Sequence, residues 1–446
     1  MKPWLLLPVE TKIREFHAKL LLAAVAAERG FPVLLGEQNA MLRQIESLPR
    51  GIYLDKSVAR TKTGHFQRLR RRGFKVVAWC EEGLVYRDRA AYLHERVLPD
   101  SLALAERFFC WGGVQQGDIA GHVGDLSDRL RITGNPRFDL LRAEYRDLFA
   151  PDVAALRARH GDFILLNTNF ARYNHFQGDD FLIPMLKQRG TITSAEQERF
   201  FEAWRDFLGT LFHGFADMLA PLSAAFPDRT IVLRPHPSEN HERWRALTRD
   251  LPNVIVAHEG NVVPWLMAAS CLVHNSCTTG LEAWLLERPV IAYRPATSET
   301  YDSFLPNAVS HSVDTPHDLL AAIRGALAGE RLDGGPAGAD AAARYYGAID
   351  GASAAERVSD ELETLALPAD QPRRPLARAT SYLSQPALQL ARRALRPKAA
   401  AYAAQKFSGI DLPEMRRELD RLRTVSGRFG NVSIAPYAWR CYTLNA

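Results

Sequence analysis

The sequence predicts an α/β protein with two doubly wound, Rossmann-like domains of parallel strands and a C-terminal helical extension. At 446 residues the chain is too long for one ordinary hydrophobic core. Its short apolar runs are continuous rather than alternating, as expected for strands buried on both faces of a parallel sheet. They alternate with helical segments, and after a polar stretch this alternation of strand and helix begins again near residue 160. We therefore expect domains over residues 1–155 and 156–330, facing a ligand cleft at the carboxyl ends of their strands, and helical packing with a tail over 331–446.

The elements follow in order along the chain. The run "WLLLPVE" predicts the first strand, and "FHAKLLLAAVAAERG" predicts a helix over 16–30 that ends at Gly30. The predicted strands of the first domain cover residues 4–10, 32–37, 51–56, 75–82, 107–113 and 130–136. Those of the second domain cover 162–170, 230–237, 253–259, 269–276 and 289–295, with a long helix over 199–226. A Pro/Arg-rich joint at 367–380 and one amphipathic helix precede the polar tail.

Composition is typical of a soluble globular chain, with 47% hydrophobic and 24% charged residues. The five cysteines form no CxxC pair, which argues against a zinc module or a disulfide scaffold and favours a reducing cytoplasm. The apolar stretch at 20–27 is too short to span a bilayer. A net charge of +5 suits an anionic substrate or a membrane surface and does not indicate nucleic acid. We expect a cytoplasmic protein and leave open peripheral contact with the inner face of the cytoplasmic membrane.

The stretch "RPHP" (234–237) ends a predicted strand of the second domain. Proline fixes φ and has no N–H, so the two prolines end the strand and set the direction of the His236 imidazole. Arg234 and His236 are two residues apart on an extended chain and lean the same way. With Pro237 they predict an anion contact in the cleft. A strand-end turn with a solvent-facing histidine explains the same pattern without a ligand.

A polar cluster, "HNSCTTGLEA" (274–283), runs from a strand into a helix that we expect to begin at Thr278 or Thr279. The first turn of a helix has N–H groups without intrahelical partners and a positive dipole end, so it holds phosphate well. The cluster adds hydroxyl donors, a glycine that permits close backbone approach, and an acid that can accept from ribose hydroxyls: Ser276, Thr278, Thr279, Gly280 and Glu282. Asn275, and Asn169 in "LLNTNF", complete the predicted nucleotide contacts. Simple helix capping explains one of these hydroxyls and is the alternative.

Two adjacent acids in "WCEEGLVY" (79–86) follow an apolar strand of the first domain. A carboxylate at the carboxyl end of a strand is well placed as a general base, and partial desolvation raises its pKa toward a useful value. Glu82, next to the turn glycine, is preferred over Glu81. A solvated loop is the alternative.

Basic residues in predicted loops are candidates for contact with an acidic sugar or a lipid-linked acceptor: Lys12, Arg14 and Lys56. The run "RLRRRG" (68–73) is a candidate for contact with anionic lipid head groups. An ordinary solvated surface explains each of them equally.

Several motifs are absent from the sequence. There is no GxxxxGK[ST] loop, no GxGxxG after the first strand, no DxD-like cluster and no HExxH. The missing loop excludes a Walker-type NTPase, and the missing GxGxxG argues against a dinucleotide dehydrogenase. Neither a metal nor a cofactor is expected.

The order of the motifs resembles that of GT-B glycosyltransferases. His236-Pro237, followed forty residues later by Ser276 in "NSCTTG", is similar to the paired HP and Ser/Thr motifs of CMP-sugar-dependent enzymes. These include bacterial sialyltransferases and the Kdo transferases of capsule and lipopolysaccharide synthesis. "EEG" (81–83) is similar to the sialyltransferase motif that carries the general base. "ITGNPRFDLL", "LRPHPSEN" and "NSCTTGLEAWLLERP" resemble bacterial surface carbohydrate biosynthesis proteins, over residues 1–330.

The resemblance implies a glycosyltransferase that moves an acidic sugar such as Kdo from a CMP-sugar donor to a glycan or lipid-linked acceptor. The first domain would bind the acceptor and the second the nucleotide sugar. Glu82 would be the base, or Asp139 or Asp179 the nucleophile of a retaining enzyme. The implied contacts of the CMP phosphate are His236, Pro237, Ser276, Thr278 and Thr279. A polyol-phosphate transferase and a UDP-sugar 2-epimerase of the same fold are alternatives, and the epimerase requires further catalytic acids in the first domain. A non-catalytic assembly protein is the remaining alternative.

Overall fold

The chain folds into two compact units in the computed structural model. The structure describes residues 2–86, 88–188, 190–367, 375–395, 407 and 409–446. The first unit comprises Met1–Leu84, Arg89–Leu148 and Arg344–Ala446, and the second comprises Val85–Asp88 and Phe149–Ala343.

The first unit is built on a parallel sheet. Its strands are β1 (Trp4–Val9), β2 (Val33–Glu37), β3 (Gly51–Asp55), β4 (Lys75–Trp79), β5 (Arg107–Cys110) and β6 (Leu130–Ile132). Its N-terminal helices are α1 (Lys12–Glu28), α2 (Gln38–Arg43), α3 (Thr63–Arg71), α4 (Arg89–Arg96), α5 (Pro99–Leu102), α6 (Gly113–Val123) and α7 (Pro136–Asp139). The strand order β2-β1-β3-β4-β5-β6 reverses at β1, so this sheet has a switch point between β1 and β3.

The second unit is also a parallel α/β sheet. Its strands are β7 (Phe163–Asn167), β8 (Thr230–Arg234), β9 (Val254–Val256), β10 (Cys271–His274), β11 (Val290–Tyr293) and β12 (His311–Val313). Its helices are α8 (Ala150–His160), α9 (Leu182–Gln188), α10 (Ala195–Ala225), α11 (His241–Leu247), α12 (Val262–Ala268), α13 (Thr279–Leu285), α14 (Phe304–Ala308) and α15 (Pro316–Leu327). The order β12-β11-β10-β7-β8-β9 is that of the Rossmann fold, with its switch point between β7 and β10.

An aromatic cluster supports the loops after β7 and β8. Phe170 packs edge-on against Phe212 of α10, with ring centroids 5.6 Å apart. Phe212 in turn lies 4.6 Å from Trp244 of α11. All three rings are buried. The loops that carry the polar residues after β7 and β8 therefore pack against a well-ordered part of the core.

The C-terminal residues belong to the first unit rather than to a separate extension. They follow α16 (Gly335–Tyr345), most of which lies in the second unit. They form α17 (Ala354–Glu363), α18 (Pro375–Leu395), α19 (Leu412–Ser426), β13 (Ser433–Ala438) and β14 (Cys441–Asn445). β14 pairs antiparallel with β2, and β13 pairs antiparallel with β14. Gly36 makes this pairing possible, because a Cβ there would lie 2.5 Å from the carbonyl oxygen of Arg440. Residues 368–374 of the predicted joint at 367–380 lie outside the described residues.

The predicted fold class is confirmed: each of the predicted apolar runs forms a strand, from β1 through β11. The strands are one to four residues shorter than predicted, since the polar residues at their carboxyl ends belong to loops. β12, β13 and β14 were not predicted. Within the described ranges, none of the helices has the length and apolarity needed to cross a bilayer.

Candidate functional site

The switch point of the second sheet brings the predicted nucleotide-binding residues together. Asn167, the last residue of β7, is in register with Arg234 of β8 on one side and with His274 of β10 on the other. Connections leave β7 and β10 in opposite directions, and ligands of such sheets bind in the crevice that this opens at the carboxyl ends of the strands. The loops that begin here carry Asn169 and His236.

Arg234 places a buried positive charge at this edge of the sheet. β8 ends at Arg234, before the first proline of "RPHP" and three residues earlier than predicted. The guanidinium donates to the carbonyl oxygens of Gly260 at 2.9 Å and Glu259 at 3.4 Å, while its Nε has no partner among the described residues. Burial lowers the pKa of Arg234 to about 10, against the opposing effect of the Glu282 carboxylate. Arg234 therefore stays cationic at neutral pH.

A buried glutamate that was not predicted, Glu239, holds the loop of His236. Its Oε1 accepts from the backbone N–H groups of His236 and Phe170, each at 3.0 Å. The Thr168 hydroxyl donates to the same oxygen at 2.9 Å, and the Trp244 indole donates to Oε2 at 2.8 Å. Burial raises the pKa of Glu239, and these four donors oppose the rise. One carboxyl group thus joins the loop after β7, the loop after β8 and helix α11.

The His236 ring is exposed, but its backbone is fixed. Nδ1 accepts from the Ser238 N–H at 3.2 Å, so the neutral ring carries its proton on Nε2. Two other imidazoles hold the backbone of this loop. The His241 ring forms a hydrogen bond with the carbonyl oxygen of His236 at 3.1 Å, and the His258 ring forms one with the carbonyl oxygen of Pro235 at 2.9 Å. Burial lowers the pKa of His258 to about 4, so it is neutral and donates from Nδ1.

The loop from β10 into α13 is strained and polar. Ser276 has φ +50°, in the left-handed region that residues other than glycine rarely adopt. The Asn307 amide donates to the Ser276 hydroxyl at 2.9 Å, so this hydroxyl is already engaged by the protein. Helix α13 begins at Thr279, and Thr278 at the capping position makes no side-chain capping bond among the described residues. Simple capping therefore does not explain the Thr278 hydroxyl.

Gly280 leaves room for the His274 ring. The sequence pattern had instead predicted that this glycine lets the backbone approach a ligand. A Cβ at Gly280 would lie 2.6 Å from Nε2 of His274. The imidazole is fully buried, accepts from the Cys277 N–H at 3.2 Å and bonds the Ser310 hydroxyl at 2.8 Å. Burial lowers the pKa of His274 to about 3, so the ring is neutral. Glycine is required because this ring occupies the space of a side chain.

Several buried polar atoms at these strand ends have no hydrogen-bond partner in the described part of the chain. Both amide atoms of Asn167 are in this state, and so is Nδ2 of Asn275, whose Oδ1 accepts from the Asn169 N–H at 2.8 Å. Nε of Arg234 is a further example. A buried polar group left unpaired costs about 1–3 kcal/mol, so proteins seldom gather several in one place. Their grouping at a switch point makes these strand ends the candidate site for a polar ligand.

The chemistry of this group of residues suits a nucleotide. Amide, guanidinium and imidazole N–H groups donate to phosphate oxygens, and the Arg234 charge strengthens such bonds. The buried Glu282 carboxylate is an acceptor for sugar hydroxyls. Pro237 is exposed beside His236. Among the described residues, no cluster of three His, Cys, Asp or Glu is arranged to hold a metal ion.

In the first unit, the structure reverses the preference between the two candidate bases. Glu82 is half exposed and forms an ion pair with Arg96. Glu81 is buried, and the Trp79 indole donates to it at 2.8 Å. Burial, together with the negative charge of Glu15, raises the pKa of Glu81. The prediction rested on desolvation, and Glu81 meets that condition.

A buried ion pair, also not predicted, lies at the first switch point. Lys19 donates to Glu15 at 2.8 Å and also binds the carbonyl oxygen of Pro8. Glu15 accepts from the N–H groups of Glu10 at 3.0 Å and Thr11 at 3.1 Å. Burial disfavours the charged form of Glu15, but the charge and hydrogen bond of Lys19 prevail and lower its pKa. The pair fixes the turn from β1 into α1.

Other sequence-selected residues have structural roles. Asp139 is fully buried, and its two oxygens accept from the N–H groups of Ala354 and Ala355 at 2.8 Å, so it caps α17 and is not placed as a nucleophile. Asp179 is exposed, 3.5 Å from Arg243. The predicted basic contacts include ion pairs with protein acids: Lys12–Glu414, Lys56–Glu10, Arg70–Glu106 and Arg72–Glu46. They fit an ordinary surface.

Two Rossmann-like units in one chain define the fold class of GT-B enzymes. The structure of UDP-GlcNAc 2-epimerase from Methanocaldococcus jannaschii is similar over 82% of this chain and 100% of that chain, with a TM-score of 0.50 and 13% identity. The UDP-GlcNAc 2-epimerase from Neisseria meningitidis covers the same shares at a TM-score of 0.49 and 14% identity. The wall teichoic acid polymerase TagF matches 65% of this chain and 68% of its own, at a TM-score of 0.44 and 11% identity. At 13% identity, the similarity to the M. jannaschii structure concerns the fold alone. No protein-family model matches the sequence, and no curated protein matches it significantly.

Proposed function

We propose that this chain is an enzyme of nucleotide-activated sugars in bacterial surface carbohydrate biosynthesis, which binds its nucleotide at the switch point of the second unit. The observation that carries the proposal is the group of buried, unpaired polar atoms on Asn167, Arg234 and Asn275. A nucleotide phosphate supplies acceptors for the unpaired N–H groups of these residues, and a hydroxyl or amino group of the nucleotide can donate to the unpaired Oδ1 of Asn167. Glu282 would accept from ribose hydroxyls, and the His236 imidazole would donate to a phosphate oxygen.

A UDP-sugar is the first ligand to test. The M. jannaschii UDP-GlcNAc 2-epimerase shares the fold over its whole length. An epimerase needs acid–base groups beyond one carboxylate, because a proton is removed and replaced at carbon. The buried Glu15 and Glu81, with Lys19 beside Glu15, are candidates for such groups. The first candidate activity is therefore 2-epimerisation of a UDP-sugar.

Transfer of an acidic sugar such as Kdo from CMP to a surface glycan is the second candidate. It is supported by the order of the acid, HP and Ser/Thr motifs. A CMP-sugar carries a single phosphate, and the cationic Arg234 with the His236 imidazole is enough to hold one without a metal. Negative charge grows on that phosphate as the sugar leaves, so the same contacts would strengthen in the transition state.

The proposal is tested by calorimetric binding of UDP, CDP and CMP to the full chain and to Asn167→Leu. Leucine cannot donate to phosphate, so we expect nucleotide affinity to fall at least about tenfold. Because the buried amide has no partner in the described part of the chain, its removal should leave the free energy of unfolding without ligand unchanged or raise it. UDP binding supports the first candidate and CMP binding the second.

Asn253→Leu is the matched control, since it makes the same substitution in the same unit. The Asn253 amide donates to the carbonyl oxygens of Phe226 at 2.8 Å and Arg229 at 3.1 Å. This variant should lose stability and keep its nucleotide affinity. If Asn167→Leu behaves in the same way, the Asn167 amide is structural. If no nucleotide binds the wild-type chain, the proposal fails and a non-catalytic assembly protein is favoured.

A further inference from the structure

Helix α18 presents leucine side chains to the outside. Leu383 is 79% exposed and Leu390, one heptad later, is 65% exposed. Five of the ten large exposed hydrophobic residues in the described part of the chain lie on this one helix: Tyr382, Leu383, Leu388, Leu390 and Leu395. Scattered exposed leucines are ordinary, but such a concentration marks an interaction surface.

The side of α18 that packs against the protein is polar. Ser381 is buried and accepts from the Trp439 N–H at 3.1 Å. Gln385, one turn later, is buried and accepts from Nε of Arg43 at 2.9 Å. A surface helix ordinarily turns its apolar stripe to the core and its polar face to water. α18 has the opposite orientation, so its apolar face is directed away from the unit that holds it.

The charge of the surrounding sequence indicates what covers this face. Residues 371–410 include six Arg and two Lys and no Asp or Glu. The whole chain, in contrast, is nearly balanced, with 56 Lys and Arg against 51 Asp and Glu. Exposed leucines within a purely basic segment fit a partner that combines an apolar interior with a negatively charged surface. Two copies of the same segment would repel each other.

We propose that α18 is an interfacial helix that lies in the head-group region of an anionic phospholipid bilayer, with Leu383 and Leu390 in the acyl boundary. A helix of 21 residues is about 30 Å long and lies along the surface. The basic segment adds electrostatic attraction, and both contributions are needed for stable attachment. This surface is separate from "RLRRRG", where Arg70 and Arg72 are already paired with Glu106 and Glu46.

The test is flotation of the full chain with vesicles of phosphatidylcholine, alone or with about 30% phosphatidylglycerol, in about 0.1 M and about 0.5 M salt. We expect binding to the anionic vesicles only, weakened at the higher salt. Leu383→Gln/Leu390→Gln should lower the partition coefficient at least about tenfold, because two apolar side chains no longer enter the bilayer. The control is Leu247→Gln/Phe304→Gln, which changes two exposed apolar residues of the second unit and should bind as the wild type does.

Hydrogen exchange on the wild-type chain gives a second readout that does not depend on the variants. Anionic vesicles should slow exchange over residues 375–395. Equal binding to neutral vesicles, a leucine variant that binds like the wild type, or unchanged exchange would each overturn the proposal. A leucine-dependent dimer in sedimentation, without vesicle binding, would assign the surface to self-association instead.

Discussion

Replacing Glu239 by glutamine perturbs one buried group that holds two loops of the candidate site. Glutamine has nearly the same shape, but it offers one acceptor oxygen and one NH2 donor. With its oxygen in the place of Oε1, it still accepts from Thr168, Phe170 and His236. Its NH2 group then faces the Trp244 indole, which at present donates to Oε2 at 2.8 Å. One hydrogen bond is lost, and two donors are brought together.

The expected change in the free energy of unfolding follows from this count of hydrogen bonds. Loss of one hydrogen bond to a charged acceptor costs about 1.5–3 kcal/mol, and removal of a buried charge returns part of that. We expect Glu239→Gln to lower the free energy of unfolding of the second unit by about 1–2 kcal/mol. Glu239→Ala would leave all four donors without their acceptor and should cost at least about 4 kcal/mol. The glutamine variant is therefore the one that can be assayed folded.

The assay is urea denaturation followed by tryptophan fluorescence, with nucleotide affinity measured on the same samples. Affinity should fall as well, since the backbone of His236 loses the charge that orders it. Glu242→Gln is the matched control: this side chain is exposed, and the change should cost less than about 0.5 kcal/mol. If Glu239→Gln is as stable as Glu242→Gln and binds nucleotide equally well, Glu239 does not position the loop.

Two further outcomes are expected. The pKa of His274 is about 3 in the folded chain against 6.5 for an ordinary histidine, so the unfolded chain binds a proton first as the pH falls. The free energy of unfolding should drop by about 3 kcal/mol between pH 6.5 and about pH 4 from this group, and urea titrations of His274→Asn should lack that contribution. Because the pKa of Glu81 is raised, a base at this position becomes active only above that pKa. Glu81→Gln should lower turnover at least about hundredfold and abolish the acid limb of the pH–rate profile without changing nucleotide affinity. Glu82→Gln should keep turnover near that of the wild type. If Glu82→Gln loses turnover and Glu81→Gln keeps it, Glu82 is the base.

The strands of both sheets could be predicted because strands buried on two faces are continuous apolar runs. The edge strands could not. β12 has three residues, and "SIAPYA" of β13 contains a proline, which fits an edge strand and a polar tail equally well. The pairing of Cys441 with Gly36 joins the two ends of the chain, and no local pattern carries that information. Gly36 is the one local clue, since its missing side chain leaves room for β14.

The candidate site could be predicted as a set of loops but not as individual roles. Proline and helix-start chemistry located the stretches around His236 and Thr279, since both act over a few residues. Burial is decided by distant partners. Glu81 and Glu82 are neighbours of the same type, yet only Glu81 lies against Trp79. Glu239 follows Pro237 in a turn composed like a solvated loop, and only the fold places four donors around it.

The buried polar groups of the second unit fall into two kinds, and the difference indicates how the site works. Glu239 and His274 are buried and fully hydrogen-bonded, and they fix the loops after β7, β8 and β10. Asn167 and Asn275 are buried at the ends of those loops with atoms unpaired among the described residues, and Ser276 adds backbone strain. The fold thus bears the cost of the unpaired groups before any ligand arrives, so a ligand that pairs them needs to order little. A nucleotide that binds here should therefore slow hydrogen exchange at the amides that it contacts in these three loops and leave the exchange of the surrounding helices nearly unchanged.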